Sequence, residues 1–383
     1  MTFTIGWHAG PTAQLEFFDP DASAARPGDS FRVRFTPPFR ATLRLPVEPH
    51  SFGGGPLNSI RTNLDASVGQ RAGGAAVSVS TPDLDDLVRT GKQLYKCAVP
   101  PHLRFELRRS GLFLEIGVDE KLVGLPWELM HDGDDFLCRK HRIGRYVNVR
   151  TRPQTSMVEN YAATGQPVED LSVLLISVPR PEPRSAEETF EPLPHAEAET
   201  KALTEALTQM PGVKVTPLVG RKATYNAVFD ALETSRYHIV HYTGHAHFDR
   251  ADPQSSALVL YDADLDAGSV RNFLSSAPPV VCFMNACETG AAPAWRDQYD
   301  IYGLAWAFLE TGSYLLGSCW KIDDQVASTF AGAFYDSLLV QGHTIGTSVT
   351  EARQAAYRDD DFGWASYVLY GDPRLAFTPQ ATD

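Results

Sequence analysis

From residue 171 onward, short apolar runs alternate with amphipathic helical segments, and this alternation restricts the possible folds more than any other feature. Strand-length apolar runs occupy 171–178, 213–219, 237–242, 257–261, 280–284, 314–317 and 364–369, the last of which is expected to close the sheet. Helical patterns occupy 194–210, 224–234, 269–275, 301–311, 324–340 and 345–357. Strands that are separated by helices form a largely parallel sheet, so the sequence predicts an α/β fold.

Two of the predicted strands lead directly to reactive residues. The run 237–242 is followed shortly by His245, and the run 280–284 is followed shortly by Cys287. In an open parallel sheet the carboxyl ends of the strands lie along one edge, where ligands bind. An imidazole is the usual base that converts a thiol to a thiolate near neutral pH. The two residues therefore predict a Cys-His dyad.

The residues alone leave other interpretations open. A buried structural thiol explains Cys287 as well as a nucleophile does, because free cysteine is among the most buried residue types. Cys282 lies within its strand and is expected to be inert core. His241 also lies within a strand and is expected to support the site by packing and hydrogen bonding, whereas His247 falls on the loop beyond. Position at a strand end favours His245 as the base.

Composition excludes several classes of function. The net charge of −13 argues against a broad nucleic-acid surface, because phosphate binding needs clustered lysine and arginine. No apolar run reaches the roughly 18 residues that a spanning helix requires, and the chain starts without the pattern of a secretory signal. The five cysteines are odd in number and lack CxxC spacing, which fits a reducing cytoplasm. We expect neither nucleic acid nor a membrane as a partner.

The sequence favours neither a metal ion nor another cofactor. No carboxylate or cysteine completes a ligand set with the clustered histidines at a recognisable spacing. The acidic segment 262–266 resembles a calcium loop, but Phe273 stands at the closing position, where glutamate is needed. A solvent-exposed turn is the better interpretation.

Residues 1–95 are interpreted as a β-rich accessory region. The runs 31–35 and 41–45 alternate apolar with polar residues, as half-buried strands do. Further predicted elements are a short helix at 82–95, a hairpin of strands 103–107 and 112–116, and a turn or short helix at 125–130.

Five segments together carry a stronger signal than any one motif. They are 125–129 with 132–133, then 244–246, 285–290, 317–323 and 364–373. In this order they resemble the CHAT proteases, which are caspase-like cysteine peptidases, and they span roughly residues 100–378. Ala246 stands where the family usually has glycine. Only a backbone N–H is needed there, so we expect the site to tolerate alanine.

The resemblance implies a fold and a domain organisation. The expected fold is a caspase-like three-layer α/β/α sandwich around a mostly parallel sheet. Residues 96–383 are predicted to form the protease domain, with a sheet core that begins near residue 171, and residues 1–95 the N-terminal β-rich region. Trp127 and Glu128 are interpreted as structural, a buried indole beside a carboxylate that caps or pairs.

The resemblance also implies roles at the site. His245 is expected to act as the base and Cys287 as the nucleophile. Backbone N–H groups of Ala246 and Cys287 are the expected oxyanion donors, because charge develops on the substrate carbonyl oxygen between their loops. No third catalytic side chain is identifiable from the sequence.

Residues that contact the substrate are less sharply defined. In caspase-like enzymes the residue two before the nucleophile helps line the primary pocket, and here it is the uncharged Asn285. Trp320 and Asp323 resemble a groove-lining segment, although Asp323 fits equally well as the cap of the next helix. Arg180 and Arg184 fit either an acidic substrate residue or solvent-exposed loop positions. The sequence therefore predicts no cleavage residue.

The function expected from the resemblance is cleavage of a specific protein partner by a cytoplasmic endopeptidase. Family members commonly act on a dedicated protein partner, and some act in prokaryotic defence or cell death, for example by activating a gasdermin, so a gasdermin-like or other neighbour-encoded protein is an expected substrate. The alternative is a catalytically silent interaction module. We also expect an activating partner or a cleavage event that orders the loops 179–186 and 292–299.

Overall fold

The computed structural model describes residues 2–10, 12–18, 31–36, 48–50, 84–109, 111–119, 122–148, 167–185, 188–247, 255–286, 303–320, 322–358 and 361–380. In chain order the strands are β1 (Thr2–Trp7), β2 (Thr12–Phe18), β3 (Phe31–Thr36), β4 (Glu48–His50), β5 (Phe113–Asp119), β6 (Arg142–Asn148), β7 (Pro167–Val168), β8 (Leu171–Val178), β9 (Val213–Val219), β10 (Ile239–Gly244), β11 (Ala246–His247), β12 (Ala257–Val259), β13 (Asp264–Asp266), β14 (Val281–Asn285), β15 (Tyr314–Ser318), β16 (Tyr367–Tyr370) and β17 (Leu375–Gln380).

The helices are α1 (Leu84–Ala98), α2 (Arg104–Leu107), α3 (Leu137–Lys140), α4 (Pro194–Thr208), α5 (Tyr225–Thr234), α6 (Ala267–Leu274), α7 (Leu304–Glu310), α8 (Asp324–Tyr335), α9 (Ile345–Ala355) and α10 (Gly363–Ser366). A π-helical segment, Asp336–Val340, continues α8, and 3-10 turns lie at Trp127–Leu129 and Gly220–Lys222. Within the described ranges, no helix is long and apolar enough to cross a membrane.

Eleven of the described strands form one sheet in the order β4-β3-β2-β5-β6-β16-β15-β14-β10-β8-β9. One parallel group consists of the strands β15, β14, β10, β8 and β9. A second parallel group consists of β16, β6, β5 and β2. Antiparallel pairing occurs between β15 and β16 and in the β2-β3-β4 segment. The predicted α/β fold with a mostly parallel sheet is confirmed.

Helices cover both faces of the sheet around β10 and β14. On one face α4 packs on β8, β9 and β10 and contacts α8, which in turn contacts α9. On the other face, side chains from α5, α6 and α7 surround a small apolar cavity that Tyr242 and Met284 also line. Successive strand residues point to opposite faces, so each strand presents its side chains alternately to the two helical layers. This is the predicted three-layer sandwich.

Among the N-terminal strands, β2, β3 and β4 belong to the eleven-stranded sheet, whereas β1 lies in a separate three-stranded sheet. β2 lies between β3 and β5, and β1 pairs with β7 and with the C-terminal strand β17. The predicted strand 31–35 is confirmed as β3 and the predicted helix 82–95 as α1, while the run 41–45 lies outside the described residues. The predicted accessory region therefore extends the sheet of the larger domain.

The hairpin predicted for 103–107 and 112–116 is wrong. The first segment contains the helix α2, and β5 pairs in parallel with β2 and β6. Leu103 and Leu107 are buried one helical turn apart, whereas Phe105 between them is 66% exposed. An alternating pattern of only five residues also fits an i, i+4 apolar stripe, and burial selected the helix.

The last predicted strand, 364–369, is only partly correct. Its first part forms the short helix α10, and β16 begins at Tyr367. β16 does not close the sheet but lies in its middle, where it joins β15 to β6. The sequence pattern did not predict β17, which pairs with β1 at the edge of the three-stranded sheet.

A buried ion pair joins β6 to the 3-10 turn at Trp127–Leu129. Arg145 on β6 donates hydrogen bonds to both oxygens of Glu128 and to the backbone carbonyls of Val123 and Leu125. Both charged side chains are 2% exposed, and Trp127 is fully buried. The structural interpretation of Trp127 and Glu128 is confirmed, because a buried carboxylate needs such a partner.

Two buried histidines make stability depend on pH. Burial lowers the pKa of both His141 and His238 to about 4. In the unfolded chain their pKa is about 6.5, so between these values the unfolded state binds protons that the folded state does not. We expect the free energy of unfolding to fall as pH is lowered from about 6.5 toward 4, by up to about 3 kcal/mol per histidine. Urea unfolding at several pH values measures this.

The matched variant is His238→Asn, which keeps an acceptor for the backbone N–H of Ser172 but does not titrate. In this variant the free energy of unfolding should fall less between pH 6.5 and about 4, and the difference from wild type should equal the contribution of one histidine. An unchanged slope in this variant would show that His238 does not contribute.

Candidate active site

The strand β10 brings His245 to the carboxyl edge of the sheet. Every residue of β10 is buried, and His245, which follows it directly, is partly exposed. A side chain on Gly244 would place its Cβ 2.5 Å from the hydroxyl oxygen of Tyr242, so the close approach of Tyr242 leaves room only for glycine. The strand therefore ends with a half-exposed imidazole on a rigid support.

The neighbouring strand β14 leads to the predicted nucleophile. β14 pairs with β10 in parallel, and Thr243 lies opposite Asn285 at the end of the register. Ala286 is also described and is buried, with its carbonyl oxygen accepting a hydrogen bond of 2.6 Å from Ser318. Cys287 follows directly but lies outside the described residues, so its side-chain position stays a prediction.

A backbone carbonyl determines the tautomer of His245. Its Nε2 atom lies 2.8 Å from the carbonyl oxygen of Glu191, which can only accept. Nε2 therefore carries a proton, and in the neutral ring Nδ1 is the basic nitrogen. The ring of Phe190 lies at a centroid distance of 5.5 Å from the imidazole. A general base needs its ring orientation fixed, and the Glu191 carbonyl fixes it here through Nε2.

The side chain of Tyr242 binds the backbone of His245. The hydroxyl oxygen of Tyr242 lies 2.6 Å from the carbonyl oxygen of His245 and 2.8 Å from that of Val259. The N–H of Val259 donates to the same His245 carbonyl at 3.0 Å. Ala246, the predicted oxyanion donor, begins β11, which pairs with β12. The turn after β10 is thus joined to a small antiparallel sheet.

Arg184 holds the segment that carries Glu191. It forms ion pairs of 2.9 Å with Glu188 on the same segment and 2.9 Å with Asp264 on β13. Its guanidinium also lies 5.9 Å from the centre of the Phe190 ring. Both Arg184 and Arg180 are exposed residues. Arg184 has partners within the protein, and the two interpretations from the sequence stay open for both arginines.

Asn285 lies beneath the candidate site. It is 4% exposed, its Nδ2 atom donates to both oxygens of Glu199 and to the carbonyl of Ala327, and its Oδ1 atom accepts from Tyr367. These bonds use the hydrogen-bonding capacity of the amide inside the protein. A role in contacting substrate is not supported by these contacts and stays a prediction.

The other two predicted substrate residues lie on the loop between β15 and α8. Trp320 is partly exposed and its backbone N–H donates to Ser366. The carboxylate of Asp323 accepts from the backbone N–H groups of Gln325 and Val326 and so caps α8. The capping interpretation of Asp323 is confirmed.

The competing residues also have structural roles. Cys282 is fully buried, and burial raises the pKa of its thiol to about 12, so it is inert as expected. His241 is 1% exposed and its Nε2 atom lies 3.0 Å from Glu199, whereas His247 is exposed. Among the described residues, no group of three or more histidine, cysteine, aspartate or glutamate side chains could hold a metal ion.

Sequence reasoning missed Glu191, Tyr242 and Glu199. Glu191 acts through its backbone carbonyl, which carries no sequence signal. Glu199 had a signal, because it lies within the apolar stripe of α4 between Ala196 and Leu203 and is itself buried. A carboxylate on the core face of a helix indicates a specific buried partner.

The family model of the CHAT domain matches residues 88–372. The chain belongs to the CHAT-domain family. The matched range contains the His245 turn, the strand leading to Cys287 and the buried Glu128 and Arg145 pair. No curated protein sequence matches the chain significantly.

Comparison with solved structures gives matches at low sequence identity, of which separase shares the chain's fold. Separase from Saccharomyces cerevisiae, solved with securin, has a TM-score of 0.56 and 10% identity, and the match covers 94% of this chain but only 30% of the separase chain. Gingipain R from Porphyromonas gingivalis, an Arg-specific cysteine proteinase, has a TM-score of 0.46, 13% identity and coverages of 85% and 76%. The Drosophila initiator caspase Dronc has a TM-score of 0.35, 9% identity and coverages of 54% and 81%.

Replacing Tyr242 by phenylalanine tests the support beneath this CHAT-domain site. The variant removes the hydroxyl shared by the carbonyls of His245 and Val259, so the free energy of unfolding should fall by about 1–3 kcal/mol. The matched control is Tyr335→Phe, since the buried Tyr335 hydroxyl has no hydrogen-bond partner among the described residues. This control should change stability far less. Denaturant unfolding of both variants gives the comparison, and equal losses would contradict the role of Tyr242.

Proposed function

We propose that the chain is a cysteine endopeptidase in which Cys287 is the nucleophile and His245 the general base. The observation that carries the proposal is the fixed tautomer of His245. Its Nε2–H donates to the Glu191 carbonyl, and its strand lies beside the strand that leads to Cys287. Membership of the CHAT-domain family and the separase-like fold support the same activity.

In the proposed mechanism, the proton of the Cys287 thiol moves to Nδ1 of His245. The thiolate attacks the carbonyl carbon of the scissile peptide and forms a C–S bond, while the carbonyl electrons move to oxygen. The backbone N–H groups of Cys287 and Ala246 are the proposed donors to that oxyanion. The tetrahedral intermediate collapses as the C–N bond breaks, and the imidazolium gives its proton to the leaving amine.

Water then hydrolyses the thioester. His245 takes a proton from the water molecule while the water oxygen attacks the acyl carbon. The C–S bond then breaks and releases the carboxylic acid product. The thiolate recovers the proton from the imidazolium. Throughout, the neutral carbonyl of Glu191 holds the ring orientation without adding a negative charge, so it positions the base rather than acting as a second acid or base.

The proposed substrate is a specific protein, recognised by a groove between the His245 turn and the loop with Trp320 and Asp323, with Asn285 buried beneath it. A gasdermin-like or other neighbour-encoded protein, in prokaryotic defence or cell death, is the candidate that the family suggests. Separase was solved in complex with securin, which is a precedent for a dedicated protein partner in this fold. The free thiols of the four described cysteines fit the proposed cytoplasmic location.

Control by a partner is part of the proposal. The segment 179–185 is held by Arg184 through two surface ion pairs, which are weak enough to exchange when a partner binds. The loop 292–299 lies outside the described residues. A competent state populated at about 1% needs only about 2.7 kcal/mol of differential binding to reach parity.

Substitution of each dyad member tests the activity. Cys287→Ala should abolish labelling by a thiol-reactive peptide probe and cleavage of a peptide library, with and without candidate partners. His245→Ala should lower turnover by about two or more orders of magnitude, because general base catalysis is lost. The controls are Cys282→Ala and His247→Ala, which should retain turnover per folded molecule.

Labelling and turnover that survive in Cys287→Ala would overturn the assignment of the nucleophile. An unreactive wild-type chain under every partner condition would favour the silent interaction module. Full turnover of the isolated chain on its natural substrate would contradict only the proposed control by a partner and would leave the proposed activity intact.

A further inference from the structure

One buried carboxylate contacts both strands that lead to the proposed dyad. Glu199 on α4 is 3% exposed, and its Oε1 atom lies 3.0 Å from Nε2 of His241 on β10. The same carboxylate accepts from Nδ2 of Asn285 on β14, at 3.2 Å to Oε1 and 3.0 Å to Oε2. His241 lies four residues before His245 in the sequence, and Asn285 is separated from Cys287 by a single residue.

The register of the sheet explains why one side chain reaches both strands. His241 pairs with Phe283 and Thr243 pairs with Asn285, so His241 and Asn285 are diagonal neighbours on the same face. That face is covered by α4. Glu199 therefore lies over the gap between the two strands, where a two-oxygen acceptor can bind a donor from each.

Asn285 transmits this contact toward the nucleophile. Its side chain is also held by Tyr367, whose hydroxyl donates to Oδ1 at 2.6 Å, and by its own bond of 3.2 Å to the carbonyl of Ala327. The next residue, Ala286, is held through its carbonyl by Ser318. Movement of the Asn285 side chain would therefore strain the peptide that connects the strand to Cys287.

A buried carboxylate is a costly way to fill this space. Taking a charge out of water costs several kcal/mol, and an apolar side chain of similar volume would stabilise the fold at least as well. The described partners of Glu199 are a histidine and an amide on two adjacent strands, both uncharged unless the histidine is protonated. The contact is thus better suited to determining geometry than to increasing stability.

We propose that Glu199 is a positioning residue that sets the spacing between the His245 and Cys287 strand ends through His241 and Asn285. The proposal rests on the proposed peptidase function. Glu199 touches no substrate atom and transfers no proton in the reaction. A displacement of about 1 Å between reacting groups lowers rates by about a hundredfold, so the spacing of the two strand ends controls turnover.

The test is Glu199→Gln in the full-length chain, assayed with a cleavable peptide found by the library screen. Glutamine keeps the shape but replaces one acceptor oxygen with an N–H donor, which then faces either His241 or Asn285. We expect kcat to fall by about 10- to 100-fold, with KM within about twofold, because ground-state binding of the peptide does not use this contact. The alkylation rate of Cys287 by iodoacetamide, followed by mass spectrometry, should change as well.

The matched control is Glu128→Gln, which alters another buried carboxylate that is bonded to Arg145 on β6. It should lower the free energy of unfolding at least as much as Glu199→Gln and leave kcat per folded molecule unchanged. If both variants lose kcat equally, the effect is general destabilisation and the positioning role is wrong. Circular dichroism sets an assay temperature at which each variant is folded.

A double-mutant cycle tests the route through Asn285. If Glu199 acts by holding Asn285, Glu199→Gln combined with Asn285→Ala should lower kcat about as much as the larger single effect. Multiplicative losses would overturn this route. A wild-type chain without turnover under every partner condition rejects the proposed function, whereas an active wild type and an equally active Glu199→Gln variant reject only the role of Glu199.

Discussion

The parallel pairing of β10 with β14 is the constraint on which the candidate site depends. Five residue pairs, from Ile239 with Val281 to Thr243 with Asn285, set one register between two fully buried strands. Because the period of a strand is two, a slip by one residue would turn His241 from the α4 side to the apolar face. Both strand ends would then lose their alignment, so the proposed pairing of His245 with Cys287 depends on the register.

The two faces of these strands protect the register by different means. On the α4 face, a buried polar group bonds only in one alignment, since Glu199 must meet a donor from each strand. On the opposite face, Tyr242 and Met284 pack against apolar side chains of α5, α6 and α7. A slip of β10 by one residue would turn His241 away from Glu199 and bury it among apolar side chains. A slip of β14 would bring Met284 against the Glu199 carboxylate. Polar specificity and apolar packing therefore favour the same alignment.

The strands β2 to β6 extend this sheet through β16. β16 pairs with β15 on one side and β6 on the other, and Arg145 on β6 binds Glu128 in the buried junction. The N-terminal strands β2 and β3 continue from β5, so residues near both chain ends stabilise one structure. The separase-like match over most of the chain is consistent with this continuous sheet.

The sequence by itself determined the alternation of strands and helices from residue 171 up to α9 and the location of His245 after a strand, because periodicity and apolar run length are local properties. It also separated buried Cys282 from the strand-end cysteine. The tertiary structure decided that the segment before β5 is helical and that β16 lies inside the sheet. It alone brought Glu191 to His245 and Glu199 to both strands. These contacts join residues far apart in the chain, and a carbonyl or a helix face carries no local pattern that names its partner.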